Sequence, residues 1–279
     1  MADGLLDAEL AGLAWTLAGS GVGVLVAGPD GPSGACGAAA GALVAALSDA
    51  ISLTTRVVRL APGPAPGPVD EAVRAAGDGP VVLVASDLGG TGEGALRRGA
   101  ARAAVRAVSD RTGLALVATV AAPDIEGVLD RLRGLTVAAP DDEIVRLGAV
   151  LVLGRPAEGS APELPDAGGV AGPAPLPVPT RIRVVAAHYL RPPAIGPLGR
   201  VERRAPAVVA TYDERRGAWD HFAWGIVPEI ADRVGVRSGD LEAAVTVRRE
   251  TIDALVAHGL RGAAPFRAAA NLAIRAPRA

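Results

Sequence analysis

Apolar strand-like runs alternate with stretches of helical spacing through the first half of the chain. The runs at 22–27, 55–60, 81–85, 114–120 and 149–153 read as strands, and the stretches at 34–47, 69–76, 95–108 and 125–132 read as helices. Strands apolar on both faces, alternating with helices, predict a mostly parallel sheet covered on both sides. This first part is an α/β core.

Two breaks interrupt the alternation. Residues 61–68, "APGPAPGP", cannot continue a helix or a central strand and read as a short stiff link. Residues 155–179 are rich in Pro, Ala and Gly with little to bury, so a mobile insertion is expected there. Beyond it the composition changes: five of the seven aromatic residues (Tyr189, Tyr212, Trp219, Phe222, Trp224) cluster around two predicted strands at 181–190 and 206–212. A helix is predicted over 240–258, with Ser238 or Asp240 as its cap. Leu241, Val245, Ile252, Leu255 and Val256 fall near one face, and Gly259 ends it. A last helix is predicted over 264–274. The chain therefore divides into a core at 1–154, an insertion at 155–180 and a C-terminal region of strands and helices at 181–279 that packs on the core.

Composition narrows the chemistry. Half of the 279 residues are apolar, enough for a sizeable core, and the formal charge of −2 with interleaved signs argues against nucleic acid or an anionic membrane as partner. All 28 basic residues are arginine, so no mechanism that needs a lysine amine is open. The single Cys36 excludes an intramolecular disulfide and a multi-cysteine metal site. Residues 10–29 carry no charge and approach the length of a membrane span, about 20 residues. The glycine break at 19–21 and the acidic flank Asp3, Asp7 and Glu9 favour a helix followed by a strand instead.

The residues most suggestive of chemistry follow the first strand: "GPDGPSGAC", 28–36. Strand, glycines and helix are those of a phosphate loop, in which backbone N–H groups, a lysine and a magnesium-binding hydroxyl hold a nucleotide. Here Gly28, Asp30, Gly31, Ser33 and Gly34 form the turn, Ala35 stands at the lysine position and Cys36 at the hydroxyl position, and the glycine spacing is one residue too long. By itself the motif is weak and reads as an ordinary strand-to-helix turn rather than as a phosphate loop.

The order of segments around it resembles the motor domain of archaeal-type secretion ATPases, the group that assembles pili, archaella and secretion machines. "LLDAELAGLAWTLAGSGVGVLVAGPDGPSGAC" resembles the start of that domain, "PVVLVASDLGG" its second nucleotide-binding strand, and "TGLALVATVAAPDIEGVLDRLRGL" its sensor strand and following helix. "DDEIVRLGAVLVLGR", "RIRVVAAHYLRP" and the stretch 210–261 are similar to its later strands and C-terminal helices. The resemblance implies a RecA-like P-loop NTPase core followed by a β-hairpin and C-terminal helices. It also implies the losses: Ser86 stands at the place of the glutamate that polarises water, and Val120 and Ala121 at the place of a leucine–histidine pair. Each such preorganised group is worth about two to three powers of ten in rate, so little turnover is expected.

The resemblance thus implies a pseudo-ATPase with no catalytic residue of its own. No cofactor is expected, beyond weak ATP and magnesium, and the implied partners are homologous secretion ATPase subunits or a membrane platform protein, in a homo- or hetero-oligomer. The implied location is cytoplasmic, peripheral to a membrane complex. A slow motor is the alternative, with Arg56, Arg97, Arg98 or Arg131 replacing the lysine; so is an unrelated α/β enzyme with Cys36 as nucleophile, a role set against that of a small buried residue. The 89–94 loop, "GGTGEG", reads as a plain loop, since Asp87 and Glu93 oppose an anion there. His188, His221 and His258 have no zinc-ligand spacing. Asp220 and His221, neighbours on an expected strand, should face opposite ways.

Overall fold

The computed structural model describes residues 4–31, 33–51, 55–75, 77, 79–156, 181–195, 200–260 and 268–269. The apolar runs become β1 Val24–Gly28, β2 Arg56–Arg59, β3 Val81–Ala85, β4 Leu114–Ala121 and β5 Ala149–Gly154. Around them run α1 Ala8–Gly19, α2 Ala35–Ile51, α3 Gly67–Ala75, α4 Arg98–Asp110, α5 Ile125–Arg133 and the short α6 Asp141–Ile144 with a 3₁₀ turn, Val145–Leu147. All pairings among these five strands are parallel, in the order β5-β1-β4-β3-β2.

Side-chain alternation explains why this sheet is covered on both faces. Val24 and Val26 of β1 enter one hydrophobic cluster with residues of α1 and α2, whereas Leu25 and Ala27 enter a second with residues of α3, α4 and α5. The same division holds for β3, β4 and β5, so each central strand is buried on two sides. The uncharged stretch splits as expected: α1 ends at Gly19 and β1 starts at Val24. Among the described residues no helix is long and apolar enough to cross a membrane.

The C-terminal region extends the same sheet with three strands and adds a separate two-stranded ribbon. It contributes β6 Arg183–Tyr189, the ribbon β7 Ala194–Ile195 and β8 Val201–Glu202, the hairpin β9 Ala207–Asp213 and β10 Ala218–His221, then α7 Val227–Val234 and α8 Ser238–Ala257. β6 pairs antiparallel with β5, β9 with β6 and β10 with β9, giving the order β10-β9-β6-β5-β1-β4-β3-β2. α7 and α8 add Ile230, Leu241 and Ile252 to the cluster beneath α1.

Several details differ from the sequence expectation. α3 begins inside the Pro/Gly link, at Gly67, because Pro68 suits a first helical turn where its missing N–H is not needed. α8 has Arg237 at its N-cap with no side-chain cap bond; Asp240 pairs with the Arg237 guanidinium at 3.0 Å instead. Val256 is exposed, since Leu241, Ile252 and Leu255 already fill the buried face. α6, the β7/β8 ribbon and α7 had no sequence expectation. The predicted helix at 264–274 lies outside the described residues apart from 268–269, as does most of the insertion, 157–180.

Candidate functional site

The chain leaves β1, β3, β4 and β5 at one edge of the sheet, the carboxyl edge where open α/β folds place their ligands. Three of these connections are laced together. Ala122 N–H donates to the Gly28 carbonyl at 3.1 Å, Leu88 N–H to the Thr119 carbonyl at 2.8 Å, and Asp87 N–H to Thr119 Oγ1 at 2.7 Å. Gly28, Asp30, Gly31, Ser33, Gly34, Ala35 and Cys36 therefore lie in a single turn, with Ala121 beside it and Ser86 two strands away at the exit of β3.

The turn closes on itself. Asp30 Oδ2 accepts from the Cys36 N–H, in the first turn of α2, at 3.4 Å. A Cβ on Gly34 would fall 2.0 Å from Asp30 Cβ, so only glycine permits the closure. The exposed N–H groups of a helix start, with the positive end of the helix dipole, form the place where an anion binds. The protein's own carboxylate occupies it. Because 3.4 Å is long for a hydrogen bond, the attraction is mainly that of a charge for the helix start.

A guanidinium approaches from the strand next to β1. Arg155, just past β5, places Nη2 3.7 Å from Asp30 Oδ2, in a half-exposed pair of little value to stability. Sequence reasoning did not single out Arg155, because its nearness depends on β5 lying beside β1. Of the arginines it did single out, Arg97 bonds the carbonyls of Thr91 and Gly92, and Arg56 bonds that of Ala75. Arg98 sits at φ +50° at the start of α4, donating its N–H to the Thr136 carbonyl at 2.7 Å. Arg131 comes nearest, bridging the Ala121 carbonyl at 3.1 Å and that of Gly89 at 3.5 Å, and thereby ties the β4 and β3 loops.

Cys36 is buried, and its thiol is pushed up from the ordinary value, first by burial, then by the Asp30 charge and hydrogen bond, against a smaller pull from Arg155. A raised thiol is the reverse of an activated nucleophile, so the small buried residue is what the geometry supports. Ser86 is exposed, and its carbonyl accepts from Leu96 N–H at 3.2 Å. Beside it Asp87 is only 5% exposed, holds φ +47°, and its Oδ1 has no hydrogen-bond partner among the described residues. Burial raises its carboxyl above the usual range, opposed by the Arg131 charge.

The histidines are structural in their contacts. His221 Nε2 lies 2.7 Å from Asp7 Oδ2, and the other Asp7 oxygen caps α1 by accepting from Leu10 N–H at 2.9 Å. Asp220, its neighbour on β10, turns the other way to the Arg216 guanidinium, as strand geometry requires. Burial pulls His188 down, against Glu126, and His258 forms the C-cap of α8. Among the described residues no group of three or more His, Cys, Asp or Glu is placed to hold a metal ion.

In comparison with known proteins, no family model and no curated protein matches the chain.

Proposed function

We propose that this chain is a RecA-like secretion-ATPase core that has exchanged nucleotide turnover for a role as partner or regulator of homologous motor subunits or of their membrane platform. The observation that carries the reading is the Asp30 carboxylate on the start of α2, in the position a phosphate takes in a working loop. Supporting it, the strand order β5-β1-β4-β3-β2 is the order of a RecA-type core, with the phosphate-loop strand flanked by the sensor strand. Ala35, Cys36, Ser86 and Ala121 all lie at the edge where the lost lysine, hydroxyl, glutamate and histidine would act, and none of the four supplies the corresponding chemistry.

The test mixes the purified chain with a homologous secretion ATPase that retains its lysine loop. The reading expects co-sedimentation and a changed turnover of that subunit, with no phosphate release by the chain alone. Absence of both association and effect overturns it.

A second reading, residual nucleotide binding, is favoured by Arg155, whose guanidinium pairs with Asp30 of the loop. Calorimetry with magnesium ATP separates the two. Asp30→Ala should raise affinity about tenfold or more if the carboxylate competes with phosphate for the same amides; no heat from either protein at millimolar nucleotide removes the second reading.

A further inference from the structure

The start of α1 and the outermost strand of the sheet meet at one imidazole. His221 ends β10, and its Nε2 lies 2.7 Å from Asp7 Oδ2. Its other ring nitrogen, Nδ1, lies 3.8 Å from Glu9 Oε1. Both carboxylates belong to the beginning of α1, Asp7 as its N-cap and Glu9 in its first turn. The imidazole is 16% exposed, against 31% and 33% for the two carboxylate side chains, so water screens the cluster only in part.

A neutral imidazole has one N–H donor and one acceptor nitrogen, and only the protonated ring donates from both. With a carboxylate against each nitrogen, the charged ring alone suits both contacts. When the proton leaves to solvent, whichever nitrogen releases it turns a lone pair towards a carboxylate, and the remaining contact loses the ring's charge and weakens. The surroundings reinforce this preference. Asp220, the neighbour on β10, adds a third negative charge although it turns away to Arg216. β9 sets the uncharged Ala210 opposite in register, and Phe222 with the 3₁₀ turn after it, Ala223–Gly225, brings no ionisable side chain. The Asp7 hydrogen bond outweighs desolvation and lifts the imidazole above 6.5.

We propose that His221, Asp7 and Glu9 form a proton-operated clamp between the start of α1 and β10, closed while the imidazole is charged and loosened when it gives up its proton. A group raised on folding contributes below its folded value and not above it, so the clamp closes on the acid side and opens as pH climbs. Asp7 transmits the change to the helix. Its other oxygen accepts from Leu10 N–H at 2.9 Å, so a carboxylate released by the ring also holds the cap of α1 less firmly. The segment ahead stays tied to β6 through the Leu5 and Gly4 carbonyls, and Leu6 stays buried. The opening is therefore confined to the first turn, and the sheet remains formed.

Hydrogen exchange followed by NMR on the full chain tests the clamp, with the Leu10 and Ala11 amides as probes, since both donate to Asp7. Between about pH 6 and pH 8.5, after correction for intrinsic exchange, these amides should lose about fivefold in protection, through an opening that leaves the β4 amides protected. The His221 ring proton should titrate with a midpoint above 6.5. Asp7→Asn retains a capping oxygen without the charge, so it should lower that midpoint and flatten the pH dependence; Glu9→Gln should do the same to a smaller degree. His221→Gln should abolish the dependence, and His258→Gln, at the C-cap of α8, should leave it intact. Circular dichroism should show all four variants folded, and the two carboxylate variants carry the test if the His221 variant is not. First-turn protection unchanged with pH, first-turn amides that exchange only together with those of β4, a His221 midpoint at or below 6.5 or unmoved by Asp7→Asn, or a dependence that survives in His221→Gln each overturns the proposal.

Discussion

Asp87 is a carboxyl group in the wrong solvent. It is buried at the exit of β3 with one oxygen lacking a hydrogen-bond partner among the described residues, and burial raises its proton affinity above the ordinary value near 3.8. A group raised on folding holds its proton better in the native state, so its contribution favours folding at acid pH and is lost as pH climbs through the folded value. Asp87→Asn removes the charge while keeping a side chain tolerant of φ +47°. The variant should be more stable than the parent by about 1 kcal/mol at pH 7, and the gap should close below pH 4; denaturant melts at both pH values measure it. His221 has the opposite chemistry. The Asp7 hydrogen bond lifts its imidazole above 6.5, against burial, so the pair stabilises the fold below that value and fades as pH rises through the folded one. His221→Gln should cost about 1 kcal/mol at pH 6 and much less at pH 9, read from the same melts. Neither feature was legible beforehand. Asp87 was visible as a residue opposing anions, but its burial follows from the Thr119 contacts of a neighbouring strand, and His221 meets a residue more than two hundred positions earlier.

Among the elements, the central strands and long helices were plain in the sequence because the apolar pattern that marks them is also what buries them. β3 spans the residues its valine-rich run predicts, and β4 and β5 each extend one further. What escaped notice was short or mixed: α6 has four residues, three of them acidic, and β7 and β8 have two residues each. Such pieces take their shape from tertiary contacts, as when the Arg102 guanidinium on α4 grips Glu143 of α6. The tightest seam between helices was equally hidden. Gly12 of α1 lies so close to α8 that a Cβ there would stand 3.0 Å from the Arg249 nitrogen and the Val245 oxygen, both main-chain atoms that cannot swing aside. Gly12→Leu should therefore separate the two helices and cost about 3 kcal/mol, seen as a lower melting temperature with unchanged behaviour of the β3 loop.

For the molecule as a whole, the sheet brings distant segments into one layer. Sequence reading placed the phosphate-loop candidates on one turn but not Arg155 beside them, since strand order is a property of the finished sheet. The same holds for a cleft at the opposite edge of the sheet, whose walls come from α5, α6, the end of β6 and the segment before β9. The N-terminal segment is stitched to the C-terminal region by Val184 N–H to the Leu5 carbonyl at 2.7 Å and by Arg183 to the Gly4 carbonyl at 2.7 Å, while α1 packs on α8. On the ribosome, α1 emerges well before α8 and must wait for it before the apolar face between them is covered. Nascent chains stalled before residue 238 should remain open to protease at α1 and bind holdase chaperones, and chains stalled well beyond 260 should become resistant there. For this protein, translation itself sets a waiting time that no refolding experiment on the released chain would reveal.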